Sequence, residues 1–292
     1  MKMFFILLFF LLSACGDEKD TRSNSMAGTT AVIEIKLSEA MTKVLSESPV
    51  EFRKECMPQV NMCWYKISKS AADADLPTVI VNKSLKIEHV TDVKTSIDGD
   101  VGGDIENLEL MVRGLPDNSQ HEENQAFLYS LIKEIKASGW KHYFAPYDPR
   151  IPGSQAEKIV NPGDVLGVYV KSHPWLDPDY KMNIDQWLKV DDCYDWNFYS
   201  DGNYLTLKAW RRNSDSDPTQ RGTYLISLKF MSEREYWVSE FSKESDKTRW
   251  TDLLPDLLLK YKKQRDELET KARDAGIDVN SSYKDPSIKA LH

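Results

Sequence analysis

Residues 194–230 constrain the fold of this chain more than any other stretch. Trp196–Tyr199, Tyr204–Arg211 and Tyr224–Phe230 read as strands, and Ser200-Asp201-Gly202-Asn203 separates the first two. An Asp-Gly pair between strands favours a tight two-residue hairpin, whose central residues take positive φ. Arg212–Gly222 is a polar loop leading to the third strand. The pattern predicts an antiparallel meander, which is stable only when another layer covers its apolar face.

The rest of the chain supplies that layer. Strands are expected at Thr30–Lys36, Cys63–Ser68, Thr78–Asn82, Leu85–Val93 and Leu108–Arg113, with a short helix at Leu37–Ser46. The breakers Gly114–Ser119 precede a helix whose apolar face is Ala126, Phe127, Leu128, Leu131, Ile132 and Ile135. Ser119 and Glu122 have the spacing of a capping box, and Gly139 ends the helix. Trp140–Tyr147 and Val165–Val170 read as strands, Asp148–Ser154 as an irregular loop and Asn183–Leu188 as a short helix. Trp250, Leu254, Leu257, Leu258, Tyr261, Leu268 and Ala272 fall on a helical period that ends near Gly276. The fold class expected is α+β, with antiparallel sheets, packed helices and a long C-terminal helix. The division expected is an N-terminal α+β region over 30–116, a C-terminal α+β domain over 117–277 and a loose tail over 278–292.

The first residues carry a different kind of signal. Lys2 is followed by an apolar run from Phe4 to Leu12, then Ser13, Ala14 and Cys15. This is the layout of a secretory signal peptide, and the run is shorter than the roughly 20 residues a bilayer span needs. Leu12-Ser13-Ala14-Cys15 resembles the lipobox of bacterial lipoproteins. The resemblance covers residues 1–16 and implies cleavage before Cys15, lipidation of that cysteine and a body held in the cell envelope, facing the periplasm. Stable anchoring takes two or more acyl chains. Asp17 stands one place later than the aspartate that resembles an inner-membrane retention signal, which favours the outer membrane. Residues 15–29 are small and polar, and read as the lipidated cysteine with a flexible tether.

The chain has a net charge of −8; loss of residues 1–14, whose one charged residue is Lys2, makes it −9. An acidic protein is poorly suited to nucleic acid, where binding rests on neutralising phosphates. It is also repelled by anionic membrane surfaces, so the acyl chains on Cys15 are the expected bilayer contact. Beyond Cys15 there are three cysteines, Cys56, Cys63 and Cys193. In an oxidising compartment the close pair Cys56 and Cys63 is the expected disulfide, leaving Cys193 free. Their spacing matches no zinc pattern.

Candidate sites are few. Asp98–Glu109 places Asp98, Asp100, Asp104 and Glu109 in a glycine-rich stretch that resembles an EF-hand calcium loop. Gly102 at the fifth place and strand-like flanks depart from that pattern, and an acidic hairpin loop explains it better. The five histidines form no metal-binding pair, and His121 and His142 read as structural or surface residues. No G-x-S-x-G elbow, Walker motif or dinucleotide fingerprint occurs, and no cofactor is expected. The chain has 8 Trp and 13 Tyr, and Trp187, Trp196, Tyr199, Tyr204, Trp210, Tyr236 and Trp237 among them crowd the meander and the segment after it. Trp196, Tyr199, Tyr204, Trp210, Tyr236 and Trp237 are the candidate partner-binding residues, because Tyr and Trp are enriched at interface hot spots. Asp177, Asp179, Asp185, Asp191, Asp192 and Asp195 lie beside them as a candidate steering rim. A lipobox, a polar tether, an acidic α+β body and no catalytic motif together are similar to the organisation of immunity lipoproteins that accompany type VI secretion lipase effectors. That resemblance implies a non-enzymatic binder of a secreted toxin. The alternative is an envelope-maintenance or assembly lipoprotein with a resident partner.

Overall fold

A computed structural model of the protein describes residues 30–292. The expected signal peptide 1–14, Cys15 and the tether to residue 29 lie outside the described residues. The fold is α+β. Its centre is one large sheet in which β2 (Arg53–Met57), β3 (Met62–Ser68), β6 (Val90–Asp98), β7 (Asn107–Val112), β12 (Arg221–Ser232), β11 (Asn203–Asn213), β10 (Cys193–Ser200) and β9 (Lys141–His142) lie side by side. A two-residue strand, β8 (Ser119–Gln120), also pairs with β12. A smaller sheet holds β1 (Val32–Ile35), β4 (Thr78–Val81) and β5 (Leu85–Ile87), with β1 parallel to β4. The helices of at least one full turn are α1 (Met41–Glu47), α2 (His121–Ala137), α3 (Ile184–Lys189), α4 (Glu233–Val238), α5 (Glu244–Lys247) and α6 (Trp250–Asp274).

The expected meander is β10-β11-β12, antiparallel throughout. Asp201 and Gly202 both have positive φ, 44° and 82°, as a two-residue hairpin turn requires. Period-2 alternation then sorts the side chains. Tyr194, Trp196 and Phe198 of β10, Leu205, Leu207 and Ala209 of β11, and Ile226, Leu228 and Phe230 of β12 are all buried on one face. They join Leu108 and Leu110 of β7, Val93 of β6 and Leu128, Ile132 and Ile135 of α2 in one core.

Several expectations are corrected. The division at residue 116 does not separate two cores: β7 pairs with β12 over six residues, and the main core draws on both sides of the boundary. The tail 278–292 is not loose. Asn280 N–H donates to the Arg150 carbonyl, Ile288 is buried, and the Glu233 carboxylate accepts from the amides of Lys289 and Ala290. Only Lys141–His142 of the strand expected at Trp140–Tyr147 finds a partner, because the chain leaves β10 after two residues. Val165–Val170 is a tight turn with an isolated Val165–Val168 bridge, and Leu166 takes φ 52° there. Leu85–Val93 is two strands, broken where His89 takes φ 55°. Helix α2 starts one residue later than expected. Glu123, not Glu122, reaches back to a flanking amide, that of Gln120, at 3.3 Å. β2 and α4 carried no period strong enough to read from the sequence.

Candidate functional site

The uncovered face of the large sheet is the candidate site, and the meander's odd-even alternation builds it. The residues between the core positions point to the other side: Cys193, Asp195, Asn197 and Tyr199 of β10, Tyr204, Thr206, Lys208 and Trp210 of β11, and Leu225, Ser227, Lys229 and Met231 of β12. One end of this second face is roofed. Tyr204 and Met231 pack with Tyr143, Tyr236, Trp237, Leu254 and Ile288 in a separate cluster built from α4, α6 and the tail. Beyond that roof Asn197 is still buried, while Trp210, Leu225 and Lys229 are exposed.

This arrangement corrects most of the aromatic candidates. Trp196 lies on the core face with no exposure, stacked with Tyr194 and Trp187. Tyr204, Tyr236 and Trp237 are buried under the roof, with the Tyr204 and Tyr236 ring centroids 3.7 Å apart. Tyr199 is half-buried at the edge of the same cluster, where its hydroxyl accepts from the Gly202 amide. None of these four buried side chains is available to a partner, and packing accounts for them. Trp210 is different: it is 46% exposed on the open face, with Lys208 Nζ 5.7 Å from its ring centroid. Its cross-strand neighbour is Leu225, 52% exposed. Tyr169 stands at the rim with 75% exposure; partial burial and then the Asp195 carboxylate raise its phenol pKa. The sequence signal for Leu225 is its polar-phase position in an otherwise strong strand pattern; Tyr169, beside a turn, has no such signal.

The acidic stretch is dispersed rather than a continuous rim. Asp177 is buried, accepting from the amides of Gly153 and Asp179 and standing 3.4 Å from His142 Nδ1. Asp179 pairs with Lys136, and Asp185 lies in the first turn of α3. Asp191 and Asp192 are exposed beside the start of β10, and Asp195 pairs with Lys208 at 3.5 Å.

The calcium reading of 98–109 is also corrected. Asp98 ends β6 and accepts from the Asp100 amide, and Asp100 accepts from the Asn61 side chain. Glu109 lies within β7, opposite Lys94 on one side and Lys229 on the other, so it cannot close a loop around an ion. Among the described residues no cluster of three or more His, Cys, Asp or Glu side chains has metal-binding geometry.

Cys56 and Cys63 are directly opposite on β2 and β3 and are bonded, with their Cα atoms 4.1 Å apart. The disulfide staples the β2–β3 hairpin. Cys193 is free and half-buried, and burial raises its thiol to about 11. Two of the histidines are buried in packing roles. His121 is buried between the Tyr224 hydroxyl at 2.8 Å and the Pro218 carbonyl at 3.1 Å, and His173 Nδ1 accepts from the Trp175 amide. Among the described residues, no helix is long and apolar enough to cross a membrane. No known protein family, curated protein or solved structure matches the chain.

Proposed function

We propose that the chain is a lipoprotein, anchored through acylated Cys15 and facing the periplasm, that acts by binding another protein. In its sharper form it is an immunity protein that neutralises a lipase-like effector delivered by type VI secretion. The observation that carries the binding reading is the open sheet face with the half-exposed Trp210–Leu225 pair on it. A large aromatic side chain on a rigid, uncovered sheet is the kind of anchor that dominates interface energies. Occluding a toxin takes a surface of about 800 Å² per partner. The lipobox resemblance supports the placement, since a membrane-tethered inhibitor stands where a lipid-degrading toxin acts.

Deleting the gene is expected to sensitise the cell to a toxin-delivering sibling, and restoring the full-length gene to protect it. Trp210→Ala should weaken the complex with the product of an adjacent effector gene by tenfold or more, measured by calorimetry. Absence of both sensitisation and a complex removes the immunity reading. Cys15→Ala should release the protein from the membrane fraction; persistent acylation of that variant rejects the anchor.

A further inference from the structure

A single row of side chains crosses the open face from β2 to β10. The register sets Arg53 opposite Lys66, Lys66 opposite Lys94, Lys94 opposite Glu109, Glu109 opposite Lys229, Lys229 opposite Thr206 and Thr206 opposite Asn197. Directly opposed residues share a face, with Cβ atoms about 5 Å apart. The first five positions are four cations and one carboxylate, and all five are exposed.

Glu109 attracts its two opposed lysines, Lys94 and Lys229, but the first three positions of the row are all cations. Like charges directly opposite destabilise a sheet, yet Arg53, Lys66 and Lys94 stand in succession. Neighbouring rows relieve part of the repulsion: Glu55 lies 2.7 Å from Arg53 and Asp92 3.4 Å from Lys66. Lys94 and Lys229 flank Glu109 and have no carboxylate at ion-pair distance among the described residues. Two rows further along β11 and β12 stand Trp210 and Leu225, with Lys208 between. In a chain of net charge −8, this sheet face carries a cationic row.

We infer that this row, with Trp210 and Leu225 beside it, docks an acidic surface of a protein partner. The inference rests on the protein-binding reading above and names the partner's chemistry. Charge complementarity supplies the sign of the partner, and the exposed apolar pair supplies an anchor that electrostatics alone lacks. An anionic bilayer meets the whole molecule, whose net charge opposes it. A protein surface meets this face alone, within the roughly 8 Å over which charges act in physiological salt.

The test uses the full-length chain in detergent micelles, with polyglutamate, polylysine and phosphatidylglycerol vesicles as probes. Polyglutamate should bind and polylysine should not. Lys94→Glu with Lys229→Glu should lower polyglutamate affinity at least tenfold, while Lys262→Glu with Lys263→Glu on α6 should leave it within twofold. The milder Lys94→Gln with Lys229→Gln should show an intermediate loss, which separates charge from misfolding. Preference for polylysine, or equal losses from the α6 pair, overturns the inference. So does a larger loss of vesicle binding than of polyglutamate binding in the Lys94→Glu, Lys229→Glu variant. If that variant still forms the effector complex and protects cells, the docking face is wrong and the immunity reading stands. If the native chain ignores the effector but binds polyglutamate through the row, the immunity reading falls and the face remains.

Discussion

Asp148 shows how far a single residue departs from what its type suggests. It is buried, its Oδ2 accepts from the Ser172 amide at 2.6 Å, and its Oδ1 has no partner. Burial raises its carboxyl to about 6, and the Ser172 amide only partly offsets that. In the unfolded chain the group titrates near 3.8. The folded state therefore holds its proton more tightly, so stability is greatest below the unfolded value and falls as pH rises through 4 to 6. At neutral pH the penalty is on the order of 3 kcal/mol. Asp148→Asn keeps an acceptor for Ser172 and removes the charge. It should raise the melting temperature by several degrees at pH 7.5 and leave it unchanged at pH 3.5; a variant no more stable at pH 7.5 contradicts the assignment. The six aromatic candidates carry the same lesson about burial. Trp196 and Trp210 are both tryptophans on neighbouring strands, and strand phase alone puts one in the core and the other in water.

At the scale of elements, turns decide where side chains end up. The β10–β11 turn holds Asp201 and Gly202 at positive φ, and the Gly202 amide donates to the Tyr199 hydroxyl at 2.8 Å. A Cβ at Gly202 would approach the Lys289 side chain, which can move; the backbone cannot. Gly202→Ala should therefore cost about 1 kcal/mol through its φ alone, read as a shift in the urea midpoint. A variant as stable as the parent would show that the turn adopts another form. The same logic explains what the sequence made legible. The meander, α2 and α6 carry strong periods and local stop signals, so their existence and type can be read directly. The element at Trp140–Tyr147 shows strand-like alternation, but only two residues meet a partner, and pairing is a tertiary fact. β2 is exposed along its whole length, so no apolar phase marks it. The roof over Tyr204 and Met231 depends on where α6 returns, which no local pattern encodes. The site was legible only in part for that reason. The meander's strands are legible, and Trp210 lies on their open face, whereas the cationic row exists only once six strand registers are known.

At the scale of the whole molecule, the large sheet binds the two halves of the sequence into one structure. β2, β3, β6 and β7 come from before residue 116, and β10, β11 and β12 from after it; the junction is the β7–β12 ladder. Along that ladder Leu108, Leu110 and Val112 face the same core as Phe230, Leu228 and Ile226, their register partners. Splitting the chain at residue 116 would expose all six, together with two long unpaired strand edges. Burying an apolar side chain of this size contributes about 1.5–3 kcal/mol, so six amount to roughly 9–18 kcal/mol. That is comparable to the total stability of an ordinary domain, about 5–15 kcal/mol. Neither fragment has a margin to absorb such a loss, and unpaired apolar edges lead to aggregation. Residues 30–116 and 117–292 expressed separately should therefore be unfolded or insoluble, and co-expression should recover a soluble pair. The intact chain should unfold in one transition, with tryptophan fluorescence and far-ultraviolet dichroism giving the same midpoint. The tryptophans lie mostly after residue 116 while the dichroism samples both sides, so the two probes would separate if the halves were independent. Two distinct midpoints, or a soluble and folded 30–116 fragment, would restore the boundary that the composition of Gly114–Ser119 suggests and would confine the open face to the meander alone.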